Sequence, residues 1–298
     1  MTRLIYVTAT LPFGTGEVFL APEVDELTRL GCDIKIVPRS PQGDFVHNDV
    51  RHLQERTFAT PLVSLPVLWG AIIELFCRPI KALESLLMIF GSSSITTVIR
   101  NLAVYPKGLW LAGIARRWKA DHIHAHWLST PATMAMVASR VSGVPWSCTS
   151  HRVDIVHRNL LPQKMADARF VRFISESGRA MAVEFGMRDT ARKSIVLHLG
   201  VNVPEGKQKT DGRGQMSEGS AEKASLPTAG SRETRENCLP PAVLCPANLY
   251  PVKGHKYLIQ AAAILRDRGV DCLVQLAGRG VCQNDLEKLT RELNLTDR

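Results

Sequence analysis

An apolar run, Leu4 to Thr8, opens the chain and is followed by a short glycine-containing loop, Phe13 to Glu17. From Val18 to Leu30 apolar residues recur at helical spacing, and Gly31 stands just beyond, where a helix end favours a left-handed residue. Ile34 to Pro38 is strand-like again. This pattern predicts strand, loop, helix, strand, the opening of a parallel α/β sheet. The rhythm returns from residue 120, with strands expected in "DHIHAHW", "PWSCTSH", "ARFVRFIS" and "SIVLHLGV", and a glycine-ended helix in "TPATMAMVASRVSG". A second α/β unit starts at Ala242 with strand "AVLCPAN", helix "HKYLIQAAAILRDRG", strand "CLVQLAG" and helix "NDLEKLTRELN". That is too few βαβ repeats to close a doubly wound domain, so the second domain is expected to be incomplete.

Two stretches break the rhythm. Leu62 to Ala115 is apolar with interspersed Arg and Lys, and is predicted to be broken at Pro66, Pro79 and Pro106. Its longest apolar run stops at Glu74, short of the ~20 residues a transmembrane helix needs. Helices packed on the sheet explain it. So does an interfacial surface on anionic lipid, because Trp69, Phe76, Trp110 and Trp118 lie near Arg78, Lys81, Arg116 and Arg117. Residues 205–241 are polar, Gly/Ser-rich and nearly free of large apolar side chains. Such a composition cannot bury a core and predicts a flexible linker or insertion. The expected plan is therefore an N-terminal domain over 1–204, a connection over 205–241, and the start of a second domain over 242–298.

Composition narrows the class. With 298 residues, 45% hydrophobic and 22% charged, the chain has the balance of a globular protein of roughly two domains. The seven cysteines are scattered without a C-x-x-C pair, which favours reduced thiols and a cytoplasmic setting. Met1 to Thr10 reads as a strand and not as a signal peptide. The formal net charge is +9, and residues 205–236 carry as many acids as bases, so the excess lies mostly before them. A basic N-terminal half suits a phosphorylated ligand or anionic lipid. No basic run interleaved with aromatics is present, so nucleic acid is not expected as a partner.

Four places could carry chemistry. Gly14, Thr15, Gly16 and Glu17 lie between the first strand and helix, where glycines let backbone amides approach an anion; a tight turn without a ligand explains them as well. His122, His124 and His126 alternate on one face of a strand. At ~3.3 Å rise per residue they are too spread out to surround one metal ion. A buried, hydrogen-bonded pair with His126 at the strand's C-terminal end fits better, and ligands sit at that end in parallel sheets. His151 stands just past another strand, with Asp154 near enough to orient it. Lys253 places a cation where strand hands over to helix, as an anion at the helix N-terminus requires. The chain lacks G-x-S-x-G, the P-loop and a G-x-G-x-x-G after Leu4 to Thr8, which disfavours hydrolases, P-loop enzymes and dinucleotide-dependent epimerases.

As an ordered set these residues resemble the family 4 (group 1) glycosyltransferases, in their exopolysaccharide and lipopolysaccharide branch. The resemblance is carried by "LPFGTGEVFLAPEVDELTRLG", "DHIHAHWLSTPATMAMVASRVSGVPWSCTSHRVDI", "FISESGR", "LHLGVNV", "NLYPVKGHKYLIQAAAIL" and "LAGRG". It implies a GT-B fold, two Rossmann-like domains with parallel sheets facing a cleft. It implies retaining transfer from a nucleotide-sugar to a glycan or lipid-linked acceptor, without a cofactor or bound metal, in the cytoplasm or at the inner face of the membrane. His151 would meet the transferred sugar, Gly14 to Gly16 would lie near acceptor and donor phosphates, and Lys253 would hold the donor diphosphate. Gly278 and Gly280 would belong to the donor loop. Asn248 stands where many members carry a second cation. The paired glutamates of the family, spaced E-x7-E, are not reached before Arg298, and Glu287 and Glu292 read as solvated helix charges. Weak donor binding and little activity are expected of the 298 residues, and a non-catalytic remnant or interaction protein is the alternative.

Overall fold

A computed structural model describes residues 1–14, 16–41, 46–92, 94–186, 193–200 and 241–297. Thr15 and the expected connection, apart from Pro241, lie outside the described residues. The chain divides into two compact units, Met1–Thr210 and Asp211–Arg298.

The first unit runs β1 (Thr2–Thr8), α1 (Ala21–Arg29), β2 (Cys32–Pro38), α2 (Leu65–Cys77), α3 (Pro79–Ile89), α4 (Ile95–Arg117), β3 (His122–Ala125), α5 (Thr130–Ser142), β4 (Trp146–Ser150), α6 (Arg152–His157), α7 (Leu161–Asp167), β5 (Phe170–Phe173), α8 (Glu176–Glu184) and β6 (Ser194–Val196). The strands form one parallel sheet in the order β2-β1-β3-β4-β5-β6. A parallel sheet is covered on both faces, so its strands are mostly buried, polar Ser147, Thr149 and Arg172 included. β1 shows the division of labour: Leu4 and Tyr6 join the core under α1, while Ile5 and Val7 join the larger core on the other face, under α4 and α5. The sequence leaves β1 outward to β2 and returns on the other side to β3. The order therefore reverses between β1 and β3, the place where ligands settle in open α/β sheets.

Leu62 to Ala115 forms three helices. α4 runs unbroken through Pro106, contrary to the expected break. Proline removes one amide donor but keeps a helical φ, and burial of Tyr105, Lys107, Gly108 and Leu109 around it holds the helix together. α2 packs on α4, and α3 packs on α5 and α4. The α2–α4 crossing is close because glycines face it: a Cβ at Gly70 would stand 2.7 Å from Trp110 Cδ1, and one at Gly113 2.8 Å from Glu74 Oε1. Glu74 is itself buried and accepts from Arg116 at 2.6 Å through both oxygens. Trp110 is buried and Trp118 packs against the core, so neither belongs to an interfacial surface, whereas Trp69 and Phe76 stay exposed.

The second unit contains β7 (Ala242–Pro246), α9 (His255–Asp267), β8 (Leu273–Ala277) and α10 (Gln283–Glu292). β7 and β8 pair in parallel. Leu249, Ile259, Ala262, Leu286 and Leu295 make their own small core. Among the described residues no helix is long and apolar enough to cross a membrane, and the six described cysteines are free.

Candidate functional site

The loops leaving the C-terminal ends of β1, β3 and β4 meet at the reversal of strand order. His126, directly after β3, brings its Nε2 to 2.9 Å from His151 Nε2, directly after β4. The other nitrogen of His126, Nδ1, lies 3.0 Å from the Tyr6 hydroxyl oxygen. Tyr6 donates to Glu23 Oε1 at 2.8 Å, and Arg172 pairs with Glu23 Oε2 at 2.5 Å. The directions in this chain follow from one fact, that a carboxylate only accepts. The Tyr6 hydrogen points to Glu23, so His126 Nδ1–H donates to Tyr6. His126 Nε2 is then a lone pair, and His151 Nε2–H donates to it.

Burial pushes His151 down to about 4, with Arg172 adding repulsion, and pushes His126 well below the ordinary histidine value. Both imidazoles are therefore neutral at pH 7. The Trp127 ring stacks on His151 at 4.3 Å between centroids and 28° between planes, and Phe19 meets His126 edge-on. The result is an aromatic, partly open pocket floor. The neighbouring Ser150 Oγ is buried without a hydrogen-bond partner among the described residues.

Two expected site residues do other work. Glu17 is 4% exposed, and its carboxylate accepts from the backbone amides of Ala9 at 2.9 Å, Thr10 at 2.5 Å and Leu11 at 2.7 Å, and from the Trp127 indole. It clasps the β1 loop to the β3 loop and has no free oxygen for a ligand. Asp154 is buried, which raises its pKa, and accepts the backbone amides of His151 at 3.3 Å and Leu128 at 3.2 Å. It fixes the loop carrying His151 and not the ring's protonated nitrogen. Gly14 takes a positive φ of 74° that disfavours a side chain, and Gly16 is exposed. A cleft of about 540 Å³ beside Trp127 and Asp154 includes Arg39 and Arg100, and another of about 530 Å³ lies beside Glu23 and Arg172.

His122 and His124 are not at this site. Both hydrogen-bond Ser147 Oγ, at 2.7 and 2.8 Å, and burial lowers them to about 4 and about 3. Glu23, His124 and His126 come close enough to share an ion. Every one of them is already hydrogen-bonded within the fold, and Arg172 adds positive charge, so the donor set does not fit a metal.

In the second unit Lys253 ends a 3-10 turn, Gly254 follows with a left-handed φ of 72°, and α9 begins at His255. Lys253 and Asn248 are exposed. Gly278 and Gly280 have a packing reason: a Cβ at either would fall on the carbonyl of Ala247 or Leu249. Tyr6, Glu23, Trp127 and Arg172 were not singled out from the sequence, although Arg172 is the one charge inside the apolar run "FVRFI".

No family model matches the chain, and no curated protein does. Solved structures do. The lipopolysaccharide outer core galactosyltransferase WaaB in its apo form aligns with 100% of the chain at TM-score 0.56 and 11% identity. HepE of Anabaena in complex with UDP-glucose aligns with 100% at TM-score 0.53 and 12% identity, and MurG of Acinetobacter baumannii with 98% at 0.50 and 13%. The chain spans 66%, 68% and 63% of these structures' lengths, respectively. The fold is GT-B.

Proposed function

We propose that the protein is a retaining glycosyltransferase of the family 4 type, moving a sugar from a nucleotide-sugar to a glycan or lipid-linked acceptor in cell-surface polysaccharide assembly. The observation that carries this reading is the His126–His151–Trp127 cluster at the strand-order reversal of a GT-B-fold unit. An aromatic floor with neutral imidazoles suits a sugar, whose C–H faces pack on rings and whose hydroxyls can donate to a neutral ring nitrogen. The bond from anomeric carbon to diphosphate oxygen breaks with its electron pair leaving on the diphosphate. The acceptor hydroxyl passes its proton to the departing diphosphate oxygen, and its own oxygen bonds to the anomeric carbon on the vacated face. Lys253 and Asn248 would hold the diphosphate, with the lysine offsetting the charge that develops as it departs. HepE binds UDP-glucose and WaaB is a galactosyltransferase, which supports a UDP-sugar as the first donor to try. Contact with an anionic membrane belongs to the same reading.

Binding is the first test, since the chain spans about two thirds of those structures. Saturation-transfer NMR with UDP-glucose and GDP-mannose should show contact to one of them, and Lys253→Ala should weaken it ~10-fold, the value of one charged hydrogen bond. No transfer to either nucleotide-sugar overturns the reading.

A further inference from the structure

α2 and α3 are inside out. α2 turns Val67, Ala71 and Glu74 inward, and α3 turns Ala82, Ser85 and Ile89 inward. The large side chains face outward: Leu65 is 83% exposed, Trp69 67% and Phe76 83%, with Ile80, Leu87 and Phe90 continuing on α3. A helix lying against water buries its large apolar stripe and shows the polar one. Here α2 reverses that order, and α3 adds exposed Ile80, Leu83 and Leu87 to the same apolar surface beside its exposed Lys81 and Glu84. A contiguous apolar surface of this kind marks a docking site.

We propose that the outward face of α2 and α3 docks the protein on a lipid bilayer bearing anionic headgroups, an inference that rests on the membrane-contacting glycosyltransferase reading for its setting. The chemistry of the face chooses a bilayer over a protein. Between Leu65 and Cys77 the single charged side chain is Glu74, which is buried and paired with Arg116. The outer surface of α2 thus offers no hydrogen-bonding side chain beyond the Trp69 indole, whereas a specific protein interface carries about one hydrogen bond per 100–200 Å². A hydrocarbon layer asks for none, and tryptophan favours its boundary.

Charge agrees. Lys81 on α3 and the half-buried Arg78 between the two helices are basic, against the single exposed acid Glu84 of this segment. Basic residues near an anionic surface add attraction to apolar insertion. Length decides between lying and spanning. α2 has 13 residues and α3 has 11, about 20 Å or less at ~1.5 Å per residue, while the hydrocarbon core is ~30 Å thick. These helices lie along the surface. In the first turns of α4, Ile95 and Ile99 are exposed, while Thr97, Arg100 and Val104 line the cleft that Trp127 also lines.

Flotation of the full chain with vesicles tests this. The protein should float with vesicles of phosphatidylcholine and phosphatidylglycerol in equal amounts, and less with phosphatidylcholine alone. The double variant Trp69→Ser/Phe76→Ser should bind at least ~10-fold more weakly, since two large side chains lose their burial in the hydrocarbon. Its circular dichroism and its nucleotide-sugar signal should stay unchanged. If that variant misfolds, Lys81→Glu, which leaves the apolar face intact, should still lower binding to the anionic vesicles. A wild-type chain that ignores both vesicles overturns the proposal, and one that also sediments as a dimer assigns the face to a second copy. Vesicle binding without nucleotide-sugar binding spares this inference and sinks the proposed reaction.

Discussion

One hydrogen lies between His126 and His151, and its position decides what His151 can do. With Nε2–H donated to His126, the ring presents a lone pair at Nδ1 and no charge. Its low pKa comes from burial, and the stacked Trp127 supplies part of that burial. An NMR titration of the His151 ring should therefore show a midpoint near 4, leaving it neutral from pH 5 to 8. Trp127→Ala should move the midpoint up toward the ordinary ~6.5 as water reaches the ring. An unmoved midpoint would assign the shift to Arg172 instead.

At the scale of elements, the two glycines of "LAGRG" separate packing from ligand binding. The backbone at Gly278 and Gly280 passes so close to the Ala247–Leu249 loop that a methyl has no room, and the amides of Ala247 and Leu249 bond to the carbonyls of Ala277 and Arg279 at 3.0 Å. Gly278→Ala should cost ~3 kcal/mol or more in chemical denaturation of the second unit, because backbone cannot yield as a side chain can. By contrast, Gly31→Ala, which meets open space at a φ of 90°, should cost only the ~1–2 kcal/mol of a left-handed backbone.

The long elements were legible because their periodicity persists: β1, β2, α1, α5, α9 and α10 stand close to where the apolar pattern puts them. α6 and α7 have six and seven residues, too few turns for a helical period to rise above the local composition. The expected break at Pro106 failed because packing overrode a local preference. The site was half legible. His126 and His151 announce themselves by following strands, but Glu17 looked like a loop acid and is a buried clasp. Tyr6 and Arg172 lie in different strands, and nothing in local spacing says that Glu23 will join them.

Across the first unit several basic side chains are buried. Desolvation lowers His122 and His151 to about 4, His124 to about 3, and Lys107 and Lys164 to about 7. Among the described residues the lysines donate to backbone carbonyls, Lys107 to Pro38, Arg39 and Thr60, and Lys164 to Leu128 and Ser129. A group depressed in the folded state binds more protons when unfolded, so stability rises with pH between the two values. For the histidines that window runs from about 3–4 up to ~6.5, and for the lysines from about 7 up to ~10.4. The raised Asp154 opposes the trend at its acidic end, and the raised tyrosines Tyr6 and Tyr105 oppose it above pH 10. Urea denaturation should accordingly give a higher midpoint at pH 9.5 than at pH 7, and a lower one at pH 5. Lys164→Met should flatten the alkaline limb, and an unchanged slope would show that the lysine stays charged.

The network through Tyr6, Glu23 and Arg172 also imposes a timetable. Tyr6 is made almost at once, yet the arginine that balances its carboxylate partner comes 149 residues after Glu23. At ~5–20 residues per second on the ribosome, the nascent β1 and its tyrosine wait roughly ten to thirty seconds before their last partner can arrive. Until then the Glu23 carboxylate lacks its cation, and the sheet edge on which β5 will pair stays open, so whatever shelters the emerging chain must act during synthesis.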